Sequence, residues 1–553
     1  MNRTIYLDLD EVPSNPEQSK GGEQAGPTVW GSNVYNSGAF NALLKYSTFD
    51  TLMFPAMPWL FDQTVKESPI YRENAHRIRL LQQYEMPGEL AKQQHLVFAS
   101  LGPLVSELDR LRRRVGRQDA PATGVIHSNN HAFALHFLLL GLIGDLRPYD
   151  SIICSSQASR QTVLNLYQML EQRMADLGLT GFHLMAPKTP LIPIGIEASS
   201  FVVGERSSAR QELGIESGVV LLYFGRFCPG SKADPFPLLV GFHEILEKHP
   251  DTWLVFAGDD SRHGLASDLL ALAASLGIEA RVRIIPDPSS ERKRQLYAAA
   301  DIFVSLADNL QESFGITLLE AMAAGLPVIA SDWDGYKDTV IPGKTGILVH
   351  TLLPQFPPPF DPIRGIDVLS PDLLACSTVV DLQDFAQAVD TLIVNPELRA
   401  SMGEKGRRRV HTHYDWKVVI ESYEQLWNAS VEEGREYLSY HDNQRLGLTR
   451  YDYRQLFADY PTTLIASETR VRLTSMGQRT EQSSILFERL TPDATWFQKC
   501  QFTRIFEYLN SHPVAAVGRI AAALSSSGSD CPFLLSHVSR LWKYGLIEAV
   551  PQV

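Results

Sequence analysis

Along residues 27–429 one pattern repeats: a short run of consecutive apolar residues, a polar loop, then a longer stretch in which apolar positions return at helical spacing. A strand buried on both faces needs a continuous apolar run, and a helix packed on such a sheet needs an apolar stripe. Strands are predicted at 28–30 (TVW), 51–54 (TLMF), 95–100 (HLVFAS), 124–127 (GVIH), 150–156 (DSIICSS) and 190–197 (PLIPIGIE). They continue at 219–224 (VVLLYF), 253–258 (WLVFAG), 281–286 (RVRIIP), 302–306 (IFVSL) and 327–330 (PVIA). Helices are predicted between them, among others at 39–47, 104–114, 157–170, 315–325, 381–394 and 395–410, and residues 31–38 (GSNVYNSG) read as a loop rich in small residues. The 104–114 helix is amphipathic with a basic end expected in solvent, and His136 on the apolar stretch 133–143 reads as a core histidine. Strands alternating with helices throughout predict an α/β fold with parallel sheets.

Two stretches break the pattern. After one possible strand, residues up to 26 are polar and Gly-rich and read as a flexible loop, and residues 355–378, opening with QFPPPFDPI, read as a Pro-rich surface insertion. Beyond 430 the character changes: residues 435–482 are polar with a predicted strand pair at 462–467 and 470–475. Helices then follow at 502–510, 517–524 and 532–545, and a strand at 546–550. Three short helices and a strand suggest a winged-helix-like module.

With 553 residues the chain is too long for one core. A boundary is placed near Ser199, giving residues 1–198, 199–430 and 431–553 as the expected domains. Lys plus Arg total 50 against 63 Asp plus Glu, a net charge of −13 that disfavours general nucleic-acid binding. From Lys499 onward five basic residues face three acidic ones, a thin basis for DNA and a better one for contact with a protein or peptide. The cysteines, Cys154, Cys228, Cys376, Cys500 and Cys531, are scattered singly, which fits neither a disulfide framework nor a zinc site and suits a reducing cytoplasm. The N-terminal MNRTIYLDLDEV lacks an apolar signal core, and the apolar stretch 133–143 is too short to span a bilayer.

Candidate chemistry gathers in residues 301–349, DIFVSLADNLQESFGITLLEAMAAGLPVIASDWDGYKDTVIPGKTGILV. Here a strand passes through a polar loop into a helix starting near Gly315. Glycine lets a ligand approach the backbone, and the free N–H groups and dipole of a helix start favour a phosphate. Glu312 stands before that start and Glu320 lies inside the helix, so a carboxylate sits at each end of a site suited to a ligand with hydroxyls on both sides of a pyrophosphate.

The spacing of Glu312 and Glu320, with Phe314-Gly315 between and EAMAAGLPVIAS after, resembles the glutamate pair of the glycogen-synthase-like retaining glycosyltransferases, glycosyltransferase family 4 or group 1. The resemblance implies the GT-B arrangement, two Rossmann-like halves facing across a cleft, and transfer from a nucleotide-diphosphate sugar (UDP-, GDP- or ADP-linked) with no further cofactor. It implies that Glu312 holds sugar hydroxyls, that the backbone of Phe314, Gly315, Ile316 and Thr317 holds the diphosphate, and that Glu320 holds the ribose. Arg226 and Lys232, in GRFCPGSKADPF after Gly225, match the cations that neutralise the diphosphate. Ile285 lies in the strand that lines the base pocket in relatives, with Pro286 where a backbone donor is usual. Gly31 and Ser32 are similar to the glycine loop of the N-terminal half. A histidine whose carbonyl faces the anomeric carbon would be one position among His127, Asn129 and His131.

Two DxD sequences, at Asp8 and Asp10 and at Asp332 and Asp334, read as strand-end turns, so no metal is expected. The resemblance runs from residue 27 to 429. The acceptor stays open among protein or peptide, glycan and small molecule. A reading of a different class is a nucleotide-sugar-binding scaffold or sensor with a C-terminal partner-binding module.

Overall fold

The computed structural model describes residues 2–8, 31–56, 66, 68–127, 132–144, 146–179, 186–201, 204–229, 232–261, 264–353, 374–440, 465–480, 499–525 and 531–550. Apolar runs become two parallel sheets of six strands each. The first comprises β1 (Arg3–Asp8), β2 (Thr51–Pro55), β3 (Ile78–Leu81), β4 (His95–Ser100), β5 (Ala122–Ile126) and β6 (Ser151–Cys154), in the order β3-β2-β1-β4-β5-β6. The second comprises β7 (Val219–Phe224), β8 (Thr252–Gly258), β9 (Val282–Pro286), β10 (Ile302–Ser305), β11 (Val328–Ser331) and β12 (Gly346–Val349), in the order β12-β11-β10-β7-β8-β9. β4, β5, β6, β10 and β11 are buried at every position, as strands covered by helices on both faces must be. In the second sheet the chain runs outward from β7 to β9 and then returns to the other side of β7. Ligands of such sheets sit beyond the strand ends where the order reverses, here between β7 and β10.

Residues 31–38 are helical. The helix α1 spans Gly31–Tyr46 without a break, so the expected small-residue loop is a correction. The small residues serve packing instead of turning: a Cβ on Gly38 would stand 3.0 Å from the Trp416 ring, and one on Gly195 would stand 2.5 Å from it. Trp416 is thus seated between two glycines of the first half and opens a long helix, Trp416–Tyr440, that crosses back onto that half. There the hydroxyls of Tyr35 and Tyr423 lie 2.7 Å apart, Glu424 accepts from Thr48, and Trp427 packs edge-on to Phe49.

Other expectations also change. Residues 190–197 form only isolated bridges, at Leu191 and Ile196, because Pro190 and Pro193 each remove a ladder donor. The basic end of the Val105–Arg114 helix is solvated only in part: Arg114 is exposed, but Arg112 is buried with its guanidinium on Asp109 and Asp150, and Arg113 is buried on Asp109. His136 is exposed, not core. The strand Arg470–Leu473 pairs with Ala515–Ala516 and Ile547–Ala549 and not with 462–467, whose first three residues lie outside the described ones. Helices Lys499–Ser511, Val517–Leu524 and Cys531–Lys543 pack on that small sheet around Phe502, Ile505, Ile520 and Leu541. Residues 28–30 and most of the Pro-rich insertion lie outside the described residues. No helix among the described residues is long and apolar enough to cross a membrane.

Candidate functional site

The site forms where β7 and β10 end. β10 leads into a polar loop, and at Gly315 the chain enters the helix α2 (Ile316–Ala323). Gly315 holds φ +94°, and a Cβ there would lie 2.5 Å from the Tyr336 ring, so both backbone and space demand glycine. Among the described residues no side chain caps this helix start, which leaves its first N–H groups and the positive end of its dipole without a side-chain partner there. Thr317 Oγ1 in the first turn is buried with no hydrogen-bond partner among the described residues.

Asn309, fully buried, organises the loop. Its Oδ1 accepts from the backbone N–H of Gln311 at 2.9 Å and of Glu312 at 3.2 Å, and its side-chain amide donates to the carbonyl of Lys232. That last bond ties the loop after β7 to the loop after β10, and the Lys232 ammonium pairs with Glu312 Oε2. Behind the pair, Tyr336 Oη lies 2.8 Å from Ser305 Oγ and 3.4 Å from Glu312 Oε2. Burial pushes the Tyr223 phenol up, with Asp308 and Glu312 adding to the shift and Arg226 opposing it. Tyr223, near the end of β7, thus feels Arg226, Asp308 and Glu312 together. Burial also raises the Asp308 carboxyl to about 7 and the Asp334 carboxyl to about 8, the latter with help from Glu312.

At the inner end of α2, Glu320 accepts from Lys293 Nζ at 2.6 Å and from the Tyr297 hydroxyl at 2.9 Å. The same ammonium lies 5.0 Å from the Phe224 ring centroid. The nearby strand ends touch: a Cβ on Gly258 would fall 1.7 Å from the carbonyl oxygen of Gly225, so only bare backbones fit there. Ile285 sits in β9, partly exposed and packed against the core that holds Tyr297.

The other half contributes His127. Its carbonyl accepts from the Ser313 hydroxyl, and its ring donates through Nε2 to Leu101 O while lying 4.0 Å from the Tyr35 ring. Burial lowers the imidazole to about 4. Asn129 and His131 lie outside the described residues, as does the side chain of Ser32, and the Gly31-Ser32 backbone occupies the first turn of α1.

Lys232 thus meets Glu312, Phe314 to Glu320 lead from that pair into α2, and Gly225 and Arg226 follow the end of β7. Sequence reasoning missed Asn309, Ser313, Lys293, Tyr297 and Tyr336. Asn309 and Ser313 stood in the quoted loop as polar residues without a role. Nothing local marks Lys293, which reaches Glu320 only through the packing of its helix.

Residues 205–354 match the family described as glycosyl transferases group 1. The likeness to that family is carried by this stretch of the second half. Among curated relatives, the D-inositol 3-phosphate glycosyltransferase of Nocardia farcinica is 37% identical over 165 residues, covering 29% of this chain and 36% of that protein. The protein of the same name from Geodermatophilus obscurus is 30% identical over 253 residues, covering 44% of this chain and 48% of that one. The matched span is therefore less than half the length of these relatives. Among solved structures, a glycosyltransferase from Rickettsia africae superposes with a TM-score of 0.53 at 15% identity, over 78% of this chain and all of that one. Anabaena Alr3699/HepE in complex with UDP gives 0.51 at 16% identity, over 77% of this chain and all of that one. At such identities the superpositions speak to the fold alone, a GT-B architecture in which residues 205–354 lie in the second Rossmann-like half.

Proposed function

We propose that the chain transfers a sugar from a nucleoside-diphosphate sugar to an acceptor hydroxyl, with retention of anomeric configuration. The observation that carries this reading is the Lys232–Glu312 pair beside the uncapped, glycine-started α2. It sets a cation and a helix dipole for a diphosphate next to a carboxylate for sugar hydroxyls.

In this reading Arg226, Lys232 and the N–H groups at the start of α2 stabilise the charge that grows on the diphosphate as its bond to the anomeric carbon breaks. The acceptor oxygen forms its new bond from the same face, and its proton passes to the departing phosphate oxygen. No side chain acts as a covalent nucleophile. Glu312 orients the sugar, and Glu320 binds the ribose while sharing Lys293 and Tyr297. The name of the UDP-bound Anabaena structure supports a nucleotide donor, and those of the curated relatives support sugar transfer.

The small C-terminal sheet is assigned to acceptor capture. Ala515–Ala516 and Ile547–Ala549 flank Arg470–Leu473, so its outer strands carry edges to which an extended peptide could add as another strand. The test is a screen of radiolabelled UDP-, GDP- and ADP-sugars for slow hydrolysis, with the anomer of the released sugar read by NMR. Release of the α-anomer from an α-linked donor is expected; binding of nucleotide sugars without any turnover would favour the sensor reading.

A further inference from the structure

The turn after β11 carries an arrangement that the reaction scheme leaves unused. Asp334 stands at φ +40°, a left-handed conformation that L side chains adopt at a cost, and shares this sign among the described non-glycine residues only with Asp287. The turn is clamped on both sides. Before it, the Trp333 indole donates to Asn309 O at 2.8 Å. After it, Gly335 lies so close to the preceding loop that a Cβ would fall 2.3 Å from Ser313 O. The two clamps hold this backbone against the 309–314 loop, the loop that bears Glu312.

One carboxyl oxygen of Asp334, Oδ1, is buried with no hydrogen-bond partner among the described residues. A buried acceptor without a donor is unfavourable, because it has given up its water and gained no hydrogen bond in return. Glycine would hold this φ without strain and would carry no orphaned oxygen, yet the position holds an aspartate whose carboxyl takes the Gly335 N–H and leaves Oδ1 unmatched. Glu312 lies close enough to raise the Asp334 carboxyl further, and Asp338 adds to that while Lys337 and the Gly335 N–H oppose it. The charged groups that act on Asp334 are thus Glu312, Asp338 and Lys337, beside the Gly335 N–H.

We propose that Asp334 is a donor-specificity residue: its free carboxyl oxygen, next to Glu312, hydrogen-bonds a hydroxyl of the transferred sugar and selects donors that carry it. A sugar hydroxyl both donates and accepts, so it satisfies a carboxyl in either protonation state, and it would supply the partner that the folded chain lacks. The inference rests on the glycosyl-transfer reading, and it deepens that reading at the sugar end of the donor.

The test uses the full chain with Asp334→Gly and Asp334→Asn. Calorimetry measures binding of UDP, GDP and ADP, and then of the glucose, galactose, mannose and N-acetylglucosamine conjugates of the nucleotide that binds. Turnover is read as separate kcat and KM values. Asp334→Gly should keep or raise the melting temperature and bind the bare nucleotide within about twofold of wild type. Its preference among the sugar conjugates should collapse by tenfold or more in kcat/KM, and a donor deoxygenated at the recognised position should lose little further. Asp334→Asn should keep part of the preference, because an amide oxygen still accepts. Unaltered sugar preference in Asp334→Gly overturns the inference while leaving the proposed reaction standing. A wild-type chain that binds no nucleotide overturns both.

Discussion

Ser313, just before α2, donates its hydroxyl to the backbone carbonyl of His127, one residue past β5. Through this bond the polar loop of the second half grips the strand end of the first, close to where Lys232 and Glu312 pair. A second contact spans the halves, from the Gln157 N–H to Asp338 Oδ2 at 2.6 Å.

His127 makes this junction sensitive to acid. Its imidazole titrates near 6.5 in an unfolded chain but is lowered to about 4 in the fold by burial. Between these values the unfolded state binds the extra proton, so stability is complete above about 6.5 and falls as the pH drops toward 4. A loss on the order of 1–3 kcal/mol is expected across that window. Urea titrations at a series of pH values should show a shallower slope in His127→Gln; identical slopes would remove His127 as the cause.

Removing either cation should slow the reaction far more than it weakens the fold. Arg226→Ala and Lys232→Ala should each lower kcat by roughly a hundredfold to a thousandfold, as for loss of one electrostatic stabiliser. Circular dichroism and melting curves serve as the fold control. Wild-type turnover in both variants would take the diphosphate away from this end of the crevice.

Transfer is expected to survive chelation. Two cations and a helix start already face the proposed diphosphate. Full activity after EDTA treatment and dialysis is the expected result. Loss that manganese restores would return Asp332 and Asp334 to consideration as ligands.

Gly315 should tolerate nothing larger. Alanine there meets a backbone penalty of roughly 1–2 kcal/mol at positive φ, and its methyl would displace the Tyr336 ring that backs Glu312. Gly315→Ala should therefore lower both the denaturation midpoint and kcat, and a midpoint within error of wild type would show that the α2 start can relax.

If the C-terminal module recruits acceptor, transfer and donor hydrolysis should separate. Ser536 and Lys543 are exposed on the Cys531–Lys543 helix. Ser536→Glu with Lys543→Glu should reduce transfer several-fold and leave hydrolysis unchanged. Equal loss of both would assign the module to structure.

Most strands and helices, the parallel α/β pattern and the carboxylate-bearing loop around Glu312 and Glu320 were legible in the sequence, though β3 and β12 were not. Each is written locally, in a continuous apolar run, a helical stripe, or a glycine between polar residues. Local composition misled at 31–38 and at Arg112, because both depend on distant partners: Trp416 needs Gly38 to be small, and Asp150 makes a buried guanidinium stable. Lys293 on Glu320, Ser313 on His127 and the orphaned oxygen of Asp334 were decided by tertiary structure alone. Residues far apart in the chain meet there only once the sheets are closed and water is gone, and burial then sets which polar groups find a partner and which are left to a ligand.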